Sequence, residues 1–191
     1  LAKTVPFSED LHLTQTVSPY AATKIAGEFL CSTYSHLYQM RVVALRFFTV
    51  YGPRQRPDLA IHQFTRRLWN GKPIDQFGDG TTRRDYTYVD DIIQGVVAAL
   101  SYEGPLFDIF NLGENQTIEL KHLIAAIEEA LGQKAKINYL PEQPGDVPLT
   151  CADISKAQRL LGYRSTTSLA EGLPRFIEWF QENRNDGAGS A

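Results

Sequence analysis

The chain has 191 residues, of which 43% are hydrophobic and 21% are charged, and its formal net charge is −3 at pH 7. This composition is typical of one globular domain, or of one domain and part of another, and the acidic balance gives no reason to expect a nucleic-acid partner. No apolar run approaches the roughly 20 residues that a membrane helix requires, so we expect no membrane partner.

The first predicted elements are a helix and a buried strand. Ser18 can cap a helix that starts at Pro19, and the helix should continue to about Tyr38. Residues 41–48 are then almost continuously hydrophobic, which favours a strand covered on both faces over an alternating strand. A helix followed by a buried strand is typical of an α/β fold.

Shorter helices and strands alternate along the rest of the chain. The patterns predict strands over 73–77, 82–88, 107–112 and 135–140. They predict helices over 58–70, from a cap at Asp90 or Asp91, from a cap at Thr117 to 131, from a cap at Asp153 to 161, and from Ser168. Ser168 and Glu171 form a capping box, while Gly172 and Pro174 predict a kink or a late start in that last helix. Residues from Asn185 onward are predicted to be a frayed tail.

The cysteines and histidines show no disulfide or metal-site pattern. Cys31 and Cys151 stand far apart, and we expect both to be buried, reduced thiols of a cytoplasmic protein. The histidines lack ligand spacing, so no metal is predicted and each is expected to be structural. They are His12, His36, His62 and His122.

A phenol and an ammonium occupy one face of the first helix. Tyr20 and Lys24 are four residues apart, so both side chains should leave the helix on the same side. A neighbouring ammonium favours the phenolate form of a tyrosine, and such a group can exchange a proton with a sugar hydroxyl. The alternative is an ordinary surface turn of a helix.

Positive charge is concentrated in the middle of this acidic chain. Between Arg54 and Arg84 there are seven basic residues and three acidic ones. A small anionic ligand would explain this excess, and the alternative is a solvated helix face around Arg66 and Arg67.

Five motifs, in order, resemble the extended short-chain dehydrogenase/reductase family. They are SPYAATK at 18–24, LRFFTVYGPRQRP at 45–57, FGDGTTRRDYTYVDD at 77–91, FNLG at 110–113 and QPGDV at 143–147. Within that family they are similar to the NAD-dependent nucleotide-sugar epimerases, and most closely to the UDP-glucuronate 4-epimerases. The resemblance extends over nearly the whole chain, to about Asn183.

The resemblance implies a role for each matching residue. Tyr20 would be the catalytic acid/base, and Lys24 would be its partner and would also bind the nicotinamide ribose of NAD. The nicotinamide would lie against Phe47 and Val50. The residues implied to bind the sugar nucleotide are Thr49, Arg56, Ile61, Phe77, Arg84 and Asp146.

More specifically, the resemblance implies that Arg56 reaches a sugar carboxylate or phosphate and that Arg84 holds the diphosphate. Phe77 would contact the uracil, and Asp146 a ribose hydroxyl. Guanidinium groups suit phosphates and carboxylates. The alternatives are that Arg84 pairs only with Asp85 or Asp90, that Asp146 is a turn residue, and that Phe77 is part of the core.

The implied fold is the C-terminal part of a Rossmann-like doubly wound sheet, interleaved with a small α/β sugar-nucleotide-binding lobe. Residues 1–51 would be a remnant of the NAD-binding domain, and 105–113 its returning strand. Residues 52–104 and 114–184 would form the substrate lobe, and 185–191 the tail.

The chain contains no glycine-rich dinucleotide loop. We therefore expect the C-terminal part of an NAD-dependent 4-epimerase that oxidises and re-reduces C4 of a UDP-sugar. On its own it should be inactive and bind NAD weakly or not at all. The resemblance also implies a homodimer or another homo-oligomer. The alternatives are part of a 4,6-dehydratase or decarboxylase, or a stand-alone binding or assembly module without catalysis.

Overall fold

A computed structural model describes residues 5–11, 15–142 and 146–183. In these ranges the helices are α1 (Pro19–Tyr38), α2 (Ala60–Trp69), α3 (Val89–Leu100), α4 (Leu120–Leu131), α5 (Ser155–Leu161) and α6 (Leu169–Asn183). The strands are β1 (Val42–Phe47), β2 (Thr49–Tyr51), β3 (Ile74–Phe77), β4 (Arg83–Arg84), β5 (Tyr86–Tyr88), β6 (Phe107–Leu112), β7 (Ile118–Glu119) and β8 (Ile137–Leu140). The predicted tail and His12 lie outside the described residues. No helix in the described ranges combines the length and apolar character that crossing a bilayer requires.

Helix α1 begins and ends where the sequence predicts. The Ser18 side chain accepts a hydrogen bond from the backbone N–H of Ala21 at 3.2 Å, and Pro19 occupies the first turn, where its missing N–H costs nothing. Gln39 ends the helix in the left-handed conformation, with φ of 52°.

Strands β1 and β6 form a parallel pair with register from Val42↔Phe107 to Phe47↔Leu112. Helix α1 covers one face of β1, where Glu28 forms an ion pair with Arg46 at 2.7 Å. On the other face, Val43 and Leu45 pack into a hydrophobic cluster with residues of α3, β6 and α5. The strand is thus covered on both faces as predicted, but its residues are half-buried rather than buried, and Phe47 at its end is exposed. Among the described residues, no second strand pairs with the outer edge of β1.

A larger hydrophobic cluster lies around two other strand pairs. β2 pairs with β5 and β3 with β8, both parallel, and helices α2, α4 and α6 pack over them. Helices α3 and α5 contribute instead to the cluster around β6. The predicted domain limits assign both of those helices to the substrate lobe. These limits stay a prediction.

One cysteine departs from the prediction. Cys151 is buried as expected, but Cys31 is exposed. Within the described residues, α1 packs with one side on β1 and β6, and Cys31 lies outside that contact. Large apolar side chains of α1 such as Phe29 and Leu30 are exposed for the same reason.

Two predicted helix caps are wrong. Helix α3 begins at Val89 without a side-chain cap, and the Asp91 carboxylate instead accepts a hydrogen bond from the backbone N–H of Thr167 at 3.0 Å. The Thr117 hydroxyl accepts one from Arg83 Nε at 2.8 Å, and α4 starts only at Leu120. In both cases a distant segment competes for the polar group that local spacing assigns to a helix terminus.

The capping box of α6 is confirmed, because the Glu171 carboxylate accepts a hydrogen bond from the backbone N–H of Ser168 at 3.0 Å. The helix already starts at Leu169 and contains both Gly172 and Pro174. The late start that these two residues suggest therefore does not occur.

A half-buried carboxylate, that of Asp108, connects α5 and the segment after α3 to β6. Asp108 accepts hydrogen bonds from Tyr102 Oη at 2.7 Å and from the backbone N–H of Ile109 at 2.8 Å, and it pairs with Lys156. Burial alone would raise the pKa of Asp108, but these donors outweigh it and hold the pKa below its usual range.

We expect Asp108→Asn to lower the free energy of unfolding at pH 7 by about 2 kcal/mol, because a charge-assisted pair and two further hydrogen bonds are weakened. A carboxyl whose pKa is lowered by folding stabilises the folded state above its unfolded pKa and loses that contribution as pH falls. The difference between the two proteins should therefore shrink below about pH 4. Urea denaturation at several pH values measures it, and a constant difference from pH 7 to pH 3 would contradict this account.

Candidate active site

Tyr20 and Lys24 share one exposed face in the first turns of α1. The Lys24 Nζ atom lies 5.2 Å from the centroid of the Tyr20 ring, and 70% of Tyr20 is accessible. The structure thus confirms that the two side chains meet, as their spacing predicts. An open phenol beside an ammonium is an arrangement suited to proton exchange with a bound hydroxyl.

Arg56 lies in the loop between β2 and α2. Its guanidinium forms a bidentate pair with Asp58, with Nε–Oδ1 at 3.1 Å and Nη2–Oδ2 at 2.6 Å, and 74% of the Arg56 side chain is exposed. These hydrogen bonds raise the pKa of Arg56, and the charge of Tyr20 adds a smaller electrostatic contribution in the same direction.

The residues predicted to contact the nicotinamide lie at the carboxyl end of β1 and in β2. Phe47 is 51% exposed, so its ring offers an open apolar surface. Val50 packs against the cluster around β6. Half-buried Thr49 pairs with Tyr86 across the sheet, and its N–H donates to the Asp85 carbonyl at 3.1 Å. The carboxyl end of a parallel strand is where ligands bind in α/β folds.

Arg84 and Asp146 meet although 62 positions separate them. Arg84 Nη2 lies 2.5 Å from Asp146 Oδ1. The alternative that Arg84 pairs with Asp85 or Asp90 is therefore wrong, because its carboxylate partner is Asp146. Arg84 and Asp146, both predicted to bind the sugar nucleotide, are therefore direct neighbours. Their roles in ligand binding stay a prediction.

The two predicted apolar contacts differ in accessibility. Phe77 is half-buried at the end of β3, opposite Leu140. Ile61 has 0% of its surface exposed and belongs to the larger core cluster. The structure thus does not place the Ile61 side chain on an open surface, and its role in binding stays a prediction.

Asp85 supports the strand segment that carries Arg84, and the sequence patterns did not identify it. Its carboxylate is completely buried and accepts hydrogen bonds from the backbone N–H groups of Glu114, Asn115 and Ala152 at 2.7, 3.1 and 2.9 Å, and from the Thr87 hydroxyl at 3.1 Å. Burial raises the pKa of Asp85, although these four hydrogen bonds oppose that shift.

Asp85 joins the strand segment that carries Arg84 to two distant loops. One loop follows β6, and the other precedes α5. The sequence signal that could have identified Asp85 is a charged residue between Arg84 and Tyr86, in a strand pattern whose next positions are buried.

Comparisons with known proteins identify the family of the chain. The family described as "NAD dependent epimerase/dehydratase family" matches residues 2–113. UDP-glucuronate 4-epimerase of Thermodesulfobacterium geofontis is 46% identical over 179 residues, which are 93% of this chain and 55% of the relative. The chain therefore spans about half the length of that relative.

Solved structures give the same result. The crystal structure of UDP-glucuronic acid 4-epimerase from Bacillus cereus, in complex with UDP-glucuronic acid and NAD, is similar with a TM-score of 0.88 and 42% identity, covering 94% of this chain and 57% of that one. UDP-N-acetylglucosamine 4-epimerase from Methanobrevibacter ruminantium has a TM-score of 0.88 at 27% identity, covering 95% and 59%. These similarities confirm the predicted α/β, Rossmann-like fold class.

Proposed function

The chain belongs to the NAD-dependent epimerase/dehydratase family, and on this basis we propose that it supplies the acid/base and sugar-nucleotide-binding part of a UDP-glucuronate 4-epimerase. The observation that carries the proposal is the exposed Tyr20–Lys24 pair, whose phenol and ammonium meet on one face of α1. The similarity to relatives that are named UDP-glucuronate 4-epimerases supports this choice of substrate.

Tyr20 performs the proton transfer. Its phenolate oxygen takes the proton of the sugar C4 hydroxyl as C4 is oxidised, and returns a proton to that oxygen when C4 is reduced from the opposite face. The Lys24 ammonium lies on the same face of α1, with Nζ 5.2 Å from the centroid of the Tyr20 ring. The net reaction inverts the configuration at C4 without net oxidation or reduction of the sugar.

The described residues fit one end of NAD. Phe47 offers an open ring surface for a nicotinamide, and Tyr20 and Lys24 offer polar groups for a ribose hydroxyl, with Val50 packed behind the strand. When bound, NAD supplies the acceptor and donor of the C4 hydride. The chain has no Gly-x-x-Gly-x-x-Gly segment for the pyrophosphate, so it should bind NAD weakly or not at all.

Two positively charged side chains would recognise the acidic parts of the substrate. Arg84 would hold the diphosphate, while its partner Asp146 accepts a hydrogen bond from a ribose hydroxyl. Arg56 would face the sugar carboxylate beside Thr49. Phe77 would lie against the uracil, with Ile61 behind the binding surface.

Isothermal titration of the chain with UDP tests this assignment. We expect UDP to bind and Arg84→Ala to weaken binding by about tenfold or more, because a charge-assisted contact to phosphate is lost. Arg83→Ala is the matched control: Arg83 pairs with Glu119 at 3.0 Å, and its replacement should change UDP affinity less than about twofold. Absence of UDP binding, or micromolar binding of NAD to the chain, would contradict the proposal.

The reaction alternatives remain a 4,6-dehydratase, a decarboxylase and a module without catalysis. The relatives described above are named 4-epimerases, which favours epimerisation. The three enzyme classes yield different products from one nucleotide sugar. Chromatography of the products that the whole proposed epimerase forms from UDP-glucuronate therefore separates them, and a decarboxylated or deoxy sugar would overturn the choice of an epimerase.

We also propose a homodimer or another homo-oligomer. The support is an apolar exposed surface on α1, where Phe29, Leu37 and Tyr38 are each more than 60% accessible. Sedimentation velocity should show a mass above 21.5 kDa at micromolar concentration, and a monomer would rule this out. A cytoplasmic location stays a prediction that rests on cysteine usage.

A further inference from the structure

The loop that presents Arg56 has a backbone conformation that requires support. We call residues 52–58, between β2 and α2, the binding loop. Gly52 has φ of 142°, and a Cβ at that position would lie 2.6 Å from Val89 Cγ1. Arg54 has φ of 65°, in the left-handed region that a non-glycine residue adopts only at an energetic cost. Contacts elsewhere in the fold must therefore stabilise this loop.

The side-chain amide of Gln55 supplies two of those contacts. Its Nε2 donates to the Val50 carbonyl at 3.0 Å, and its Oε1 accepts from the backbone N–H of His62 at 3.1 Å. Helix α2 has no side-chain cap at Leu59, so Gln55 satisfies a first-turn N–H from outside the helix. One side chain thus connects the end of β2 to the start of α2 across the loop.

The His62 ring holds the same residue from the other side. Its Nδ1 lies 2.8 Å from the Gln55 carbonyl oxygen, which only accepts, so Nδ1 carries the proton. The ring packs edge-on against three aromatic rings of α6, with centroid distances of 5.7, 6.0 and 5.6 Å. These rings belong to Phe176, Trp179 and Phe180. The loop is thereby attached to the larger core.

We propose that Gln55 and His62 are positioning residues that hold the Arg56 guanidinium where it can select a nucleotide sugar with a carboxylate. The proposal rests on the function proposed above and extends it to the determinant of sugar selectivity. Arg56 directly follows Gln55, and its fork already accommodates a carboxylate, that of Asp58, in bidentate geometry. Bidentate recognition depends on orientation, so loosening the loop should reduce carboxylate binding more than binding of the nucleotide.

The test compares UDP-glucuronate with UDP-glucose, which differ at the sugar carboxylate. Isothermal titration of the chain should show tighter binding of UDP-glucuronate. Gln55→Met removes both amide hydrogen bonds, and His62→Phe keeps the aromatic packing but removes the Nδ1 donor. Each should weaken UDP-glucuronate binding by about tenfold and change UDP-glucose binding by less than about twofold. Gln63→Met, whose side chain lies on the same helix outside this arrangement, is the control and should change neither.

Thermal denaturation checks that each variant is folded. Gln55→Glu keeps the acceptor for His62 N–H and loses only the donor to Val50, so it replaces Gln55→Met if that variant does not fold. Equal weakening for both ligands, or none for either, overturns the positioning role and leaves the proposed function intact. If the unmodified chain binds neither ligand, the proposed function is overturned and the positioning role with it.

Discussion

Asp85→Ala is expected to lower the free energy of unfolding by about 3 kcal/mol or more. The substitution leaves three backbone N–H groups and the Thr87 hydroxyl without their acceptor, and of these donors the Ala152 N–H and the Thr87 hydroxyl are buried. A buried donor that loses its partner costs roughly 1–3 kcal/mol, and such costs are the usual source of large destabilisation. The loss of the buried charge offsets part of this, since burial disfavours the carboxylate. Urea denaturation followed by circular dichroism measures the effect.

Asp85→Asn makes the test sharper. The side chain keeps its shape, but one acceptor becomes an NH2 group that faces backbone N–H donors. We therefore expect Asp85→Asn to be nearly as destabilising as Asp85→Ala. Asp90→Asn is the matched control, because Asp90 is exposed and should change stability by less than about 0.5 kcal/mol. A fully stable Asp85→Asn protein would show that the carboxylate does not organise the loops.

Gly172→Ala should destabilise the protein by about 2–3 kcal/mol through overpacking of the core. A Cβ at Gly172 would lie 2.3 Å from Tyr51 Oη and 2.7 Å from Tyr88 Cδ2. Both rings are almost completely buried and pack edge-on at 5.5 Å, so neither can move aside without displacing α6 or β2. Because Gly→Ala within a helix ordinarily stabilises by up to about 1 kcal/mol, the sign of the effect is diagnostic.

Gly27→Ala is the control for this substitution. Gly27 lies in α1, and no atom lies within 4 Å of its added Cβ, so this variant should be as stable as the parent or more so. Adding Tyr51→Phe to Gly172→Ala removes the closest clashing atom and should recover part of the stability. If Gly172→Ala and Gly27→Ala had equal unfolding free energies, the close packing of α6 on Tyr51 would be contradicted.

Local signals in the sequence were sufficient for most elements of the fold. The Ser18 cap with Pro19 placed the start of α1, and the continuous apolar run placed β1, since both patterns depend on neighbouring residues alone. The Tyr20–Lys24 pair was predictable for the same reason, because helical geometry brings positions i and i+4 together.

Contacts between distant segments were not predictable in this way. Asp91 has the spacing of a helix cap but bonds to Thr167, and Thr117 bonds to Arg83. In each case two sites compete for one polar side chain, and the better partner is separated from it by more than thirty residues.

The candidate site also combines features that the sequence predicted with features that only the tertiary structure revealed. The family resemblance implied binding roles for Arg84 and Asp146 separately, but only the tertiary structure placed them 2.5 Å apart. The only local signal for the buried acceptor Asp85 was a charged residue inside a strand pattern, which does not identify its partners, and the Gln55–His62 support of the binding loop had no local signal. Their hydrogen bonds join segments whose proximity follows from packing of the whole core, whereas helix caps and periodic faces follow from a few consecutive residues.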